Sequence, residues 1–251
     1  MIKNSEFFNK LSDDYDQMIN FENSLKNKSK TLLNFISSTD RHALDLGCGT
    51  GADAIVLSKL GLNVDAVDHS KGMLKQAILN GKKFNTDINF IHSGLNDLDL
   101  TAKNYNIIVS LGNTIANIER NDLGILMKKL WDYLSNGGKI VIQIINFSKL
   151  PSSGSHLLNT FENDAVSIIR KYNIKPKSKD FIIDKTDKLT NNTSQITTKL
   201  YPHAAEDFEK LAKEIGFKLE IYGDLNKSHF NAKESSNLVA VLVKKAFKTK
   251  L

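Results

Sequence analysis

Between positions 43 and 145, short apolar runs alternate with longer segments whose apolar residues recur at helical spacing. ALDL (43–46), VDAVD (64–68), INFIH (88–92), YNIIVSL (105–111) and KIVIQII (139–145) are five strand candidates. AIVLSKL follows the first and SKGMLKQAILNGKKF the second, both with helical periodicity. Apolar strands alternating with helices predict βαβ units and a mostly parallel sheet covered on both faces. The pattern changes after Asn146. All three prolines fall at 151, 176 and 202, and DAVSIIRKYNI, DFIIDK and SQITTKLY alternate with period two. That alternation predicts antiparallel hairpins. EDFEKLAKEIG then reads as an amphipathic helix closed by Gly216, followed by FKLEIYG and NLVAVLVKK as strands. The expectation is one α/β domain over 1–251, with a helical cover at 1–40 and an antiparallel insert at 147–203, after the fifth strand.

Composition narrows the function classes. The chain is 41% hydrophobic and 25% charged, which excludes a disordered chain, a collagen or a disulfide scaffold. Its one cysteine, Cys48, can form neither an internal disulfide nor a cysteine-cluster metal site. The six histidines lack metal-ligand spacing, so no metal is expected. No apolar run is long enough to span a bilayer, and the polar N-terminus lacks a signal-peptide core. A cytoplasmic protein without a membrane partner is expected. The net charge of +6 invites a nucleic-acid partner, but only Arg41, Arg120 and Arg170 are arginines. Arginine dominates bidentate recognition of bases and phosphates, and scattered lysine more often solvates a surface. The balance argues against nucleic acid and fits small anionic molecules equally well.

The strongest chemical signal is LDLGCGTGADAIVL (44–57), in which a strand ends and Gly47, Gly49 and Gly51 lead into a helix. Glycines let the chain turn sharply and let a ligand approach where a Cβ would clash. The helix N-terminus beneath adds unpaired N–H groups and positive dipole, suited to pyrophosphate or to a carboxylate. Asp68 stands twenty-one residues after Gly47, at the end of the second strand. In a βαβ unit that places its carboxylate beside the glycine turn, where it can hold a ribose diol. Gly47, Gly49 and Ala52 also fit the dinucleotide pattern, so the glycines alone leave the ligand open.

The wider pattern resembles one family. DLGCGTG (45–51) is similar to the first motif of class I S-adenosylmethionine-dependent methyltransferases, and VDAVDHSKGML (64–74) to their second. LSNGGKIVI resembles the turn into their fifth strand, and GFKLEIYG with NLVAVLVKK their closing strand pair. The resemblance implies a Rossmann-like, seven-stranded, mostly parallel sheet with helices on both faces and a reversed final strand, besides the insert. It also implies S-adenosyl-L-methionine as cofactor. Gly47 and Gly49, with Cys48 in the same turn, would face the methionine part, and Asp45 its amino group. Asp68 would hold the ribose, with His69 and Met73 bordering the adenine. Leu111 and Tyr15 complete the implied cofactor set. Where the family commonly has Gly-Asp after the third strand, this chain has Gly94-Leu95, so Asn96 or backbone groups would meet the adenine amine.

SLGNTIANI (110–118) lacks the Asn/Asp-Pro-Pro-aromatic string of enzymes that methylate DNA or glutamine amines. It resembles the Gly-Asn-Ser loop of glycine/sarcosine N-methyltransferase-like enzymes. The Asn146-Phe147 pair, the insert and Tyr15-Asp16 are similar to that group too. The resemblance implies transfer of a methyl group to a small-molecule acceptor, an amine in preference to a hydroxyl, by in-line displacement. Tyr15, Asn113 and Asn146 would line the acceptor site, and no residue is assigned as catalytic base. Capping by Asn113 and core packing by Tyr15 are the structural alternatives, and His203 reads as a loop residue. The insert is expected to cover the acceptor side or to join two copies of the chain. An RNA or protein methyltransferase and a non-catalytic cofactor-binding scaffold are the competing readings.

Overall fold

The computed structural model describes residues 4–100, 104–175 and 179–245; Pro176 lies outside them. Seven strands form the main sheet: β1 (His42–Leu46), β2 (Asn63–Asp68), β3 (Ile88–His92), β4 (Tyr105–Ser110), β5 (Leu134–Ile145), β10 (Lys218–Tyr222) and β11 (Asn237–Val243). Their order is β10-β11-β5-β4-β1-β2-β3. The first five run parallel, and β11 is antiparallel to both neighbours. The expected α/β sheet with its reversed final strand is present. Crossovers are helical: α3 (Ala52–Lys59), α4 (Lys71–Lys83), α5 (Arg120–Tyr133) and α6 (Ala205–Ile215). Gly216 ends α6 in the left-handed conformation at φ 102°, which glycine adopts without a Cβ penalty.

The sheet is apolar on both faces because each is covered. One core joins it to α5 and α6 through Leu44, Ile108, Leu126, Leu130 and Phe208. The other joins it to α3 and to α2 (Phe21–Leu32) through Leu25, Leu32, Ile55, Ile107 and Val239. β5 is longer than KIVIQII suggests. It starts at Leu134, directly after α5, and its NGG segment lies within the strand, with Gly137 at φ 78°.

The insert forms a second, four-stranded antiparallel sheet: β6 (Gly154–Glu162), β7 (Val166–Ile174), β8 (Lys179–Asp187) and β9 (Thr193–Leu200). β6 does not alternate in sequence because it is exposed along nearly its whole length. Helix α1 (Asn4–Met18) packs between this sheet and α4. Its Phe7, Leu11 and Met18 share a small core with Met73, Val166, Ile168 and Ile183. Polar contacts fix it on both sides. Asn9 Oδ1 accepts from Ser70 Oγ (2.7 Å) and Gly72 N (2.9 Å), Asp16 accepts from Asn80 (2.7 Å), and Lys185 pairs with Asp14. The helical cover is thus a strut between the two sheets, placed over the carboxyl ends of the parallel strands. No helix among the described residues is long and apolar enough to cross a membrane.

Candidate functional site

A cavity of about 300 Å³ opens at the carboxyl ends of β1, β2 and β4. The strand order reverses between β1 and β4, the place where open α/β sheets bind ligands. Its floor is the glycine turn. Gly47 and Gly49 have φ of 72° and 53°, and a Cβ on Gly47 would stand 2.3 Å from Thr114 Cγ2. A larger residue there would be strained at this φ and would have to displace Thr114. Asp68 is buried and accepts from Gly49 N (2.9 Å) through one oxygen and Ser70 N (2.8 Å) through the other. It therefore ties the turn to the start of α4 while retaining lone pairs toward the cavity.

The charges around this cavity decide what it can hold. Asp53 and Asp68 are in its wall, and Asp45 is buried in the strand leading to it. Asp45 Oδ2 and Asp53 Oδ1 have no hydrogen-bond partner among the described residues. Against these three buried carboxylates stands one lysine. Lys28, from α2, reaches in to Asp53 at 2.6 Å. Burial works to lower the Lys28 pKa, but the charge and hydrogen bond of Asp53, with Asp45 behind, outweigh it and raise the pKa. Burial, reinforced by the neighbouring Asp53 charge, pushes the Asp45 carboxyl well above its usual range. Even with the Asp45 carboxyl protonated, Asp53 and Asp68 outnumber Lys28, so the cavity is short of positive charge. A pyrophosphate would add negative charge to this excess, whereas an ammonium and a sulfonium would neutralise it. The glycine pattern is shared by dinucleotide sites; this charge balance is not suited to them.

The residue types fit S-adenosylmethionine along the length of the cavity. The unpartnered Asp45 and Asp53 oxygens suit its ammonium, Lys28 its carboxylate and Asp68 its ribose. His69, Met73, Leu95 and Asn96 form the far wall, and Leu111 and Cys48 the floor. Met73 is buried at the first turn of α4, where Ser70 caps it through Met73 N (3.1 Å). Burial pushes the Cys48 thiol well above its ordinary pKa, so it stays neutral and unreactive. Of the residues singled out in the sequence for the cofactor, all but Asp45 line this cavity, and Asp45 is buried in β1.

A second cavity of about 220 Å³ adjoins the first. Phe8, Tyr15, Gly112 and Asn117 belong to both walls and form the neck between them. Phe8 and Tyr15 are two helical turns apart on α1, so one face of that helix closes both spaces. The insert supplies Leu158, Arg170, Tyr172, Phe181 and Leu200. Arg170 takes an inward position of β7, among the buried Val166, Ile168, Tyr172 and Ile174. Its Nε donates to Asn159 Oδ1, on β6 just past a register shift at Leu157/Asn159. Burial lowers the Arg170 pKa from its ordinary value and raises that of Tyr15, which stays a neutral phenol.

Asn113 lines the second cavity, but its Oδ1 accepts from Ile145 N (3.2 Å), which anchors the loop after β4 to β5. Asn146 lines neither cavity. Its amide donates to Ala232 O and Ser235 O (both 2.9 Å) and accepts from Ser148 N (3.1 Å), fastening the end of β5. His203 is buried, with Nε2 3.0 Å from Ile118 O, and it too is outside both walls. Sequence reasoning did not single out Lys28, Asp53, Phe8, Asn117 or Arg170 for the site. The period-two pattern of DAVSIIRKYNI contained a signal for the last, since it puts Arg170 on the apolar stripe.

Comparison with known proteins agrees with this geometry. Residues 43–138 match the family model described as "Methyltransferase domain". That stretch is a methyltransferase domain, and the relatives and the fold support a class I S-adenosylmethionine-dependent methyltransferase. It is 29% identical to a carboxy-S-adenosyl-L-methionine synthase from Nautilia profundicola, over 54% of this chain and 59% of that protein. It is also 29% identical to mouse glycine N-methyltransferase, over 44% of this chain and 42% of that protein. The methyltransferase chain thus spans about half the length of these relatives. An S-adenosylmethionine-dependent methyltransferase structure from Clostridium acetobutylicum superposes with a TM-score of 0.78, covering 95% of this chain and 99% of that one. At 18% identity that likeness establishes the fold.

Proposed function

We propose that this methyltransferase moves a methyl group from S-adenosylmethionine to a small amine that carries a carboxylate. The observation that carries the cofactor half is the set of three buried carboxylates facing one lysine around the glycine turn. The acceptor half rests on the second cavity. About 220 Å³ between α1, the insert and the ends of the main-sheet strands suits a molecule of a few heavy atoms, not a polypeptide or RNA segment. Its one guanidinium, Arg170, is the natural partner of a carboxylate in aromatic surroundings. The glycine-methylating activity in the name of the mouse relative accords with an amino-acid-like acceptor.

In this reading the cofactor supplies an activated methyl group. Bound there, it would offer that methyl to the amine lone pair with a neutral thioether as leaving group, and the product ammonium would give its proton to water. The chain's own work is alignment and exclusion of water, which supplies a large share of such a barrier. Asp68 and Lys28 hold the donor, Arg170 the acceptor, and Phe8 and Tyr15 keep the neck dry. No side chain need act as base if the amine arrives neutral.

The test is a screen for S-adenosylhomocysteine formation with glycine, sarcosine and alanine against methylamine and ethanolamine. Turnover with the carboxylate-bearing amines is expected, and Arg170→Met should raise their KM at least tenfold. Equal activity with amines lacking a carboxylate, or an unaltered KM in the variant, would refute the acceptor assignment.

A further inference from the structure

Asn117, in the wall shared by the two cavities, has a buried amide oxygen with no hydrogen-bond partner among the described residues. Asn117 closes the short 3-10 turn Thr114–Asn117 after β4 and lines both cavities. Its Nδ2 donates to Thr114 O at 3.0 Å. A carbonyl can only accept, so this bond fixes which end of the amide is NH₂ and which is oxygen. The Oδ1 end is buried and has no hydrogen-bond partner among the described residues. Asn113, four residues earlier, already has its Oδ1 engaged by Ile145 N.

A buried acceptor without a partner is costly, and one at a junction between two ligand spaces is positioned to be satisfied by what crosses it. We propose that Asn117 orients the methyl acceptor: its Oδ1 accepts a hydrogen bond from the amine that receives the methyl group. Resting on the function proposed above, this assigns the residue that aims the nitrogen lone pair. An amine entering a dry neck must place its N–H groups somewhere. Binding one of them to Oδ1 removes a rotational freedom and leaves the lone pair facing the methyl carbon. The oxygen takes no proton, so Asn117 contributes alignment and not base catalysis.

The test needs no knowledge of the natural acceptor. Sinefungin carries a CH–NH₂ unit in place of S–CH₃, so an amine occupies the position of the transferred methyl, at the neck. S-adenosylhomocysteine has nothing there. Dissociation constants for both are measured by calorimetry on the wild-type chain, Asn117→Leu and Asn117→Asp. Asn117→Leu should weaken sinefungin about tenfold or more and leave S-adenosylhomocysteine within about threefold, which also shows that the variant folds. Asn117→Asp keeps an acceptor and adds charge, so it should bind sinefungin at least as tightly relative to S-adenosylhomocysteine as wild type does. Equal losses of both ligands in Asn117→Leu, no loss of either, or a sinefungin preference lost in Asn117→Asp would overturn the assignment. A wild-type chain that binds neither compound would overturn the proposed function itself.

Discussion

Replacing Gly47 by alanine tests whether the glycine turn is a fitted cradle. Gly47 has φ of 72°, a conformation that costs a residue with a Cβ roughly 1–2 kcal/mol. The new Cβ would also stand 2.3 Å from Cγ2 and 2.7 Å from Oγ1 of Thr114, and crowding of this kind costs about 1–3 kcal/mol. The two effects give about 2–5 kcal/mol, or roughly 4–20 °C in Tm at 2–4 °C per kcal/mol for a chain of this size. Thr114→Ala removes both clashing atoms and leaves its Cβ 3.1 Å from the new methyl group, at the loss of the hydrogen bond from Thr114 Oγ1 to Leu111 O (3.0 Å). The double variant should therefore recover about 1–3 kcal/mol relative to the sum of the single changes. Denaturant unfolding of the four proteins in the cycle measures this. Additive effects, or Gly47→Ala costing under about 1 kcal/mol, would show that the turn is not packed as described.

Three further outcomes follow from the site. Asp68→Ala should weaken S-adenosylhomocysteine binding roughly ten- to a hundredfold, the worth of about 1.5–3 kcal/mol of charged hydrogen bonds. Because Gly49 N and Ser70 N also lose their acceptor, its unfolding midpoint should fall too; unchanged affinity refutes the ribose role. The Asp45 carboxyl is held protonated above its usual range by burial and by Asp53, and a bound ammonium would favour its ionised form. Binding should then release a proton wherever Asp45 starts protonated, so affinity rises with pH and levels off above the free-state pKa. Calorimetry in buffers of different ionisation enthalpy reads that proton, and proton uptake would contradict the assignment. Turnover should rise with pH through the amine pKa of each acceptor used, because burial keeps Tyr15 neutral and His203 lies outside the cavities; a profile that is the same for acceptors of different pKa and is lost in a His203 variant would show base catalysis.

What could be read from the sequence divides along physical lines. The sheet, the glycine turn and Asp68 were legible because they depend on local geometry: a βαβ unit brings the end of its second strand beside its first turn. The insert was legible as period-two alternation, except for β6, whose exposure on both faces leaves no pattern. The position of Lys28 depends on how α2 docks, which no local spacing encodes; the alternation of β7 puts Arg170 on the inward stripe but does not say what it faces. Asn113 and Asn146 are polar residues at strand ends, as expected of a site. Hydrogen-bond partners distant in sequence, Ile145 for one and the 232–235 loop for the other, give both fastening work; Asn113 still lines the second cavity, and Asn146 lines neither. His203 follows a proline and is a loop residue as read, but a buried one, its ring beside Phe208 and its Nε2 3.0 Å from Ile118 O.

The central claim is that charge, not the glycine pattern, selects the ligand of the first cavity. Isothermal calorimetry of the wild-type chain with S-adenosylmethionine, S-adenosylhomocysteine and NAD tests it most directly. Asp53 and Asp68 against one lysine, with Asp45 ready to ionise beside an ammonium, predict binding of S-adenosylmethionine and S-adenosylhomocysteine and no measurable binding of NAD. Clear binding of NAD, with neither S-adenosyl compound bound, would contradict the account.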